Sequence, residues 1–504
     1  MEPSIDEAMR LIDLELSGLE RRCLELKARR NTYIPIGKLP NEVLIEIFGI
    51  LKSNRAIHEW HHVAHVCRHW RCVALEAADL WTTPTMVSHD YTLVMLERSR
   101  NRPLHIAIER GTTVTTRNAV LENLGRIGSL TLIQEAEGLK YFQDRLIDAP
   151  LQLRTLTIYN SSHFGGSDLQ SPPPFKLTPG QTAALQHLYL SFVDVDWQIL
   201  PIRSLRSLHF AYMRISNPPS WTEFQKALDG MPSLENLQIS LTDLRLDLPG
   251  SSLPVPLHMP RLRELGIIIG AASAITYFLS NTTFPKLREL DLTTNDNDDY
   301  EVTIRTAASK VVIGLLDSLF LEENHFILSQ TAHPFDNCRL DFSHSVIEED
   351  PTSIPPLARR VVDVLAAHPT SRIVSLGLRV DLTPNQVLEM FGYSLPHLES
   401  IKVFASWKVI IDGLIIPHTH SPGRPIPFAS LRTIRLVEID DTEMDSPELL
   451  EALRDCLMTR IEHNSAVTKV YMDYELTPEQ ARELRELVDD LEIWEYVESD
   501  EETE

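Results

Sequence analysis

A short apolar pattern, Leu-x-x-Leu-x-Leu with Ile, Val, Phe or Met accepted for Leu, returns throughout this chain after about residue 100 and leaves it few folds to choose from. It reads Ile127-Leu130-Leu132, Leu153-Leu156-Ile158, Leu185-Leu188-Leu190, Leu205-Leu208-Phe210, Leu234-Leu237-Ile239 and Leu262-Leu265-Ile267. It continues as Leu287-Leu290-Leu292, Leu316-Leu319-Leu321, Ile373-Leu376-Leu378, Leu398-Ile401-Val403, Leu431-Ile434-Leu436 and Val467-Val470-Met472, with a poorer copy near Leu340 and Phe342. Starts lie mostly 20–36 residues apart, a period of the kind that builds stacked repeats. The last two apolar positions alternate, so in a strand both face the same way, and the residues around them face the other. Pro232, Pro260, Pro285 and Pro396 each stand two residues before a copy, where proline ends a helix and fixes entry into a strand. Helix candidates between copies are residues 221–228, 275–279, 358–367 and 447–461. The expected fold class is α/β: a parallel, curved sheet with helices behind it.

This pattern resembles leucine-rich repeats, which makes an irregular solenoid the expected architecture over residues 100–488. In that family an Asn three residues past the last leucine satisfies backbone groups in the turn. Asn295 and Asn324 fit the slot, but Val193, Met213, Thr242 and Gly270 occupy it elsewhere, so the repeat should be uneven. Stretches rich in Pro, Gly and Ser at 160–180, 246–260 and 417–427 read as loops.

The first 30 residues carry a different period. Ile5, Met9, Ile12, Leu16, Leu19, Cys23 and Leu26 recur in alternating steps of four and three, a heptad seam on one helix. Such a helix either packs back on its own protein or self-associates weakly through residues 5–26, because three heptads make a marginal coiled coil.

Residues 36–82 form a third region. Leu39-Pro40 opens a helix carrying Val43, Leu44, Ile47, Phe48 and Leu51 at helical spacing. Val66, Cys67 and Trp70 follow, and then Leu80-Trp81. Two further short helices are expected, from His58 to Val66 and from Cys67 to Ala78, with Ser53-Asn54 breaking the first. So small a unit has little interior for so many apolar side chains, which suggests docking. The Leu-Pro start, Ile47-Phe48, Cys67-x-x-Trp70 and Leu80-Trp81 closely resemble an F-box, and the whole arrangement resembles fungal F-box proteins. The resemblance implies docking onto a Skp-type adaptor of a cullin-based ubiquitin ligase. It places Leu39, Pro40, Val43, Leu44, Ile47, Val66 and Trp70 at or under that interface.

Other chemistry finds little support. The formal charge of −24 argues against nucleic acid as a partner. No apolar run approaches the roughly 18–20 residues of a membrane span, and the N-terminus lacks a signal-peptide core. Five cysteines (Cys23, Cys67, Cys72, Cys338, Cys456) are odd in number and irregularly spaced, as reduced thiols of a cytoplasmic or nuclear protein are. Histidines crowd the module at His58, His61, His62, His65 and His69, some spaced i, i+4, but no Glu completes HExxH and no metal site is expected. No nucleophile elbow, phosphate-binding loop, dinucleotide fingerprint or kinase signature is present, and the acidic pairs Asp298-Asp299 and Asp440-Asp441 read as solvated turns. No cofactor is expected, and residues 489–504 form an acidic tail.

The outward positions of the repeat strands are the remaining candidates. Tyr159, Tyr189, His209, Asp291, Phe320, Arg379, Lys402 and Arg435 should line the concave sheet and could hold a target protein. The expected function is substrate recognition for an SCF-type ubiquitin ligase, without a catalytic group. A repeat scaffold that sends nothing for degradation is the alternative.

Overall fold

A computed structural model of the 504-residue chain describes residues 5–54, 59–146, 152–162, 182–193, 200, 202–211, 219–240, 256–294, 301–311, 316–322, 325–330, 339–344, 356–367, 372–404, 406–416, 425–437, 447–473 and 476–493. Asn295, Asn324, His58, Cys338, both acidic pairs, most of the three expected loops and residues 494–504 of the expected tail lie outside these residues, whereas residues 490–493, within the tail expected from 489, instead form a last strand of the sheet. Packing divides the chain into two compact units, residues 1–187 and 188–504.

The first unit begins with helix α1 (Ile5–Asn31), whose first turn holds Asp6 and Glu7 and whose last turn holds Arg29 and Arg30, matching the helix dipole at both ends. Through Arg30 every described side chain of α1 is exposed. The heptad seam therefore does not pack back on described residues of its own chain. The three-helix module follows: α2 (Asn41–Asn54), a 3-10 turn (Glu59–His62) leading into α3 (Val63–Val66), α4 (Arg68–Glu76) and a 3-10 turn (Ala78–Trp81). Helix α5 (His89–Arg98) comes next. Three parallel strands close the unit: β1 (Leu104–Ile108), β2 (Ile127–Gln134) and β3 (Thr155–Asn160). Strand β1 precedes the repeat pattern, but Leu104, Ile106 and Ile108 alternate with exposed residues as a strand requires.

The other strands are β4 (His187–Ser191), β5 (Ser207–Ala211), β6 (Asn236–Ser240), β7 (Leu257–His258), β8 (Glu264–Gly270), β9 (Thr282–Thr283), β10 (Glu289–Thr294), β11 (Ser318–Glu322), β12 (His325–Ser329), β13 (Arg339–His344), β14 (Ser375–Arg379), β15 (Ser400–Val403), β16 (Thr433–Leu436), β17 (Lys469–Met472) and β18 (Asp490–Ile493). Strands β7 and β9 pair separately, and the large sheet runs β4-β5-β6-β8-β10-β13-β12-β11-β14-β15-β16-β17-β18. Every apolar position of the repeat copies named above is buried, none more than 5% exposed. The columns register: Leu237 pairs with Leu265, Leu265 with Leu290 and Leu290 with Leu340. Farther along, Leu319, Leu376, Ile401, Ile434 and Val470 align likewise.

Backbone bonds repeat with the sequence. The amide of Arg263 donates to Glu235 O, that of Arg288 to Arg263 O, that of Glu399 to Val374 O and that of Arg432 to Glu399 O. Each copy thus satisfies its entry turn on the copy before it. Helices stand at all four expected places: Trp221–Asp229, Ala272–Ser280, Pro356–Ala367 and Pro447–Glu462. The first is fixed by a reciprocal capping box between Ser220 and Glu223.

The expectation of a parallel sheet needs one correction: the sheet is mostly parallel. Strand β12 runs antiparallel between β11 and β13. Its sequence, His325 to Ser329, buries Phe326 and Leu328 and so forms a strand, but it follows β11 too closely for a crossover helix. This insertion occupies the one wide gap in the repeat, between Leu316 and Ile373, and makes the poorer copy at Leu340 and Phe342 a full strand with both side chains buried.

Candidate docking surfaces

Helix α2 carries two apolar stripes. Leu44, Phe48 and Leu51 (i, i+4, i+7) turn inward; Leu44 and Phe48 are fully buried. Val43, Ile47 and Ile50 form a second stripe about 100° around the helix, since each lies one residue before its inner counterpart. Val43 and Ile50 are exposed and Ile47 is half-buried. Pro40 precedes the helix rather than sitting in its first turn, and its carbonyl accepts the first helical bond, from the Leu44 amide at 3.1 Å.

The expected helix from His58 to Val66 is shorter and broken. At Cys67 the backbone becomes extended (φ −157°), and the Cys67 sulfur accepts from the Trp70 amide at 3.5 Å, capping α4. A helix-capping sulfur explains the Cys-x-x-Trp spacing: the same turn that Cys67 caps delivers Trp70 to Phe48, with ring centroids 5.1 Å apart. At the other end, the Trp81 indole donates to Ala74 O at 2.9 Å and pins the closing turn to α4. The core also takes in Met95 of α5, past residue 82.

Of the seven residues expected at or under the adaptor interface, Leu44 lies wholly under the surface. Leu39, Ile47 and Trp70 are half-buried, and Pro40, Val43 and Val66 are exposed. Ile36 and Ile50 are exposed apolar neighbours in sequence that motif reading missed. Ile50 was legible as the i+7 partner of Val43. The histidines separate. His61 packs against Trp60 and Tyr91, with ring centroids 4.2 and 5.1 Å away, while His62, His65 and His69 are exposed.

The second candidate surface is the outward face of the sheet. One register row runs through His209, Gln238, Gly266, Asp291, Asp341, Ile327, Phe320, Gly377, Lys402, Arg435 and Tyr471. Tyr189 on β4 adjoins it, its ring 6.0 Å from that of His209. Six of the eight expected target-binding residues (Tyr189, His209, Asp291, Phe320, Lys402, Arg435) therefore belong to this row and its edge. Arg379 is one outward step away on β14, and Tyr159 is on β3 in the first unit.

The face changes character along the row. Toward β14–β17 it is cationic and aromatic. Phe320 lies across Gly377, where an added Cβ would come within 2.6 Å of its ring. Phe320 meets Phe404 edge-on at 5.3 Å, Arg379 and Lys402 lie over Phe404 at 4.9 and 4.5 Å, and Arg435 lies over Tyr471 at 4.5 Å. Toward β10–β13 it is acidic. Burial, then the neighbouring Asp341, raises the Asp291 carboxyl above its ordinary range. His325 bridges this cluster, its ring nitrogens 2.6 Å from Asp341 and 3.3 Å from Glu322. The bond to Asp341 raises His325 against a smaller opposing effect of burial. Burial opposes ionisation of Asp341, but hydrogen bonds from His325 and Arg339 outweigh it and hold the carboxyl low.

A pH prediction follows with a definite sign. A histidine raised on folding adds stability fully below its unfolded value near 6.5, and that stability is lost as pH rises through its folded value. Urea midpoints between pH 6 and 8.5 should fall more for the native chain than for His325→Gln. An equal or larger fall in the variant would contradict the bridge.

Residues 36–86 match the family model of the F-box-like domain. A comparison with curated proteins gave no match. The match covers the three-helix module and its exposed α2 stripe, and marks that module as one of protein interaction.

Proposed function

We propose that this chain, built on an F-box-like domain at residues 36–86, is the substrate-recognition subunit of an SCF-type, cullin-based ubiquitin ligase. The observation carrying this reading is the coincidence of that match with apolar side chains the module leaves in solvent: Pro40, Val43, Ile50 and Val66 are exposed, and Leu39, Ile47 and Trp70 are half-covered. F-box domains generally bind Skp-type adaptors, and a surface of this kind is what such docking would bury. The outward sheet row, aromatic and cationic toward β14–β17 and acidic toward β10–β13, is the surface for the target protein. The chain itself supplies no catalytic group. It raises the effective concentration of a target lysine near the ubiquitin-loaded enzyme. The described cysteines are all free thiols, in keeping with a cytoplasmic or nuclear setting.

The double variant Leu39→Ala, Pro40→Ala should lose adaptor in a pull-down while its circular dichroism stays that of the native chain. Undiminished capture would overturn the assignment. Adaptor recovered without cullin or RING subunits would favour the scaffold alternative, in which the same surfaces assemble proteins that are not degraded.

A further inference from the structure

Helix α1 leaves its seam in solvent, with exposures running from 53% at Leu16 to 81% at Ile5. A helix this apolar along one face is ordinarily covered. Its charges are also uneven along its length. The first half carries Asp6, Glu7, Asp13 and Glu15 against Arg10; the second carries Arg21, Arg22, Lys27, Arg29 and Arg30 against Glu20 and Glu25. We propose that α1 pairs antiparallel with α1 of a second copy of this chain.

The argument rests on which charges flank the seam. Ile5, Ile12, Leu19 and Leu26 occupy one core position of the heptad, and Met9, Leu16 and Cys23 the other. In a parallel, in-register pair, each residue before a core position faces a residue five further on in its partner. That sets Glu15 against Glu20 of the partner subunit and Arg22 against Lys27 of the partner subunit. Both contacts are repulsive, and symmetry doubles them. In an antiparallel pair, Leu16 layers against Leu19 of the partner subunit and Met9 against Leu26 of the partner subunit. Glu15 then flanks Arg22 of the partner subunit, and Asp6 flanks Lys27 of the partner subunit. Only Asp13 against Glu20 of the partner subunit remains like-charged. The pair would be about 40 Å long, and the docking modules that follow would leave from its opposite ends.

Cys23 distinguishes the two arrangements independently of charge. A parallel pair brings Cys23 to its own copy across the seam. An antiparallel pair places it against Ile12 of the partner subunit, with the two Cys23 residues about 16 Å apart along the axis.

The test is sedimentation of the full chain and its variants at micromolar concentration, with circular dichroism to confirm folding. The native chain should dimerise, and Leu16→Lys with Leu19→Lys should be monomeric. Glu15→Arg should weaken the dimer about tenfold, because two attractive contacts become repulsive, and Glu15→Arg with Arg22→Glu should restore it. Mild oxidation should link Ile12→Cys chains through Cys23 and leave the native chain unlinked at Cys23. A monomeric native chain, a dimer strengthened by Glu15→Arg, or a Cys23-dependent link in the native chain would each overturn the proposal.

Discussion

Phe48→Ala should unfold the F-box-like module and abolish adaptor capture together, whereas Val43→Asp should abolish capture alone. Phe48 is fully buried and packs on Trp70 and the core formed by Leu44, Trp60, Val63, Val73, Leu80 and Trp81. Removing such a ring costs about 3–5 kcal/mol, part for lost transfer energy and part for the cavity. A unit this small has little stability in reserve. Val43 is exposed on the outer stripe of α2, so a carboxylate there meets water in the free chain and becomes costly only when a partner covers it. Tryptophan fluorescence in urea reads the first effect, since Trp60, Trp70 and Trp81 all lie in the module, and an adaptor pull-down reads the second. Native-like stability of Phe48→Ala would contradict the core. Retained capture by Val43→Asp would move the docking face off α2.

Arg460→Leu should destabilise the second unit by about 3–5 kcal/mol, a loss far larger than a surface arginine could cause. The Arg460 side chain is fully buried on helix Pro447–Glu462. It donates to Leu414 O at 3.2 Å, to Ser465 Oγ at 2.8 Å and to Phe428 O. Phe428 holds a left-handed φ of 51°, which costs energy for any residue with a Cβ, and Arg460 braces it. Burial lowers the affinity of the guanidinium for its proton; three acceptors solvate the charge in part, while its buried Nε finds no partner among the described residues. The same burial pushes the Cys456 thiol up to about 12, so it stays protonated beside the cation. Leucine fills part of the space, removes the side-chain donor to Leu414 O and leaves Phe428 O with the Leu431 amide alone. A loss below about 1 kcal/mol in urea denaturation would show that the bracing is incidental.

The repeat strands and the module were legible for the same reason. An apolar residue at a fixed period has one way to be buried, so Leu237, Leu265 and Leu290 announce a column before any coordinates exist. Leu44 and Phe48 announce an inner stripe by the same logic. Strand β12 was not legible, because its period of two appears only over His325 to Ser329 and its direction depends on the strands beside it. Arg460 was invisible for a related reason. Nothing in LMTRIE distinguishes a solvated arginine from one whose acceptors lie 46 and 32 residues away, at Leu414 and Phe428.

By itself the sequence determined which residues are apolar at which period, and hence most of the strands, the helices between them and the F-box-like module. The tertiary structure decided which of those apolar residues remain in water. Periodicity records what a side chain would bury, but exposure depends on what packs against it. That is why Leu44 and Val43, adjacent and both apolar, end as core and surface, and why the heptad seam of α1 stands uncovered.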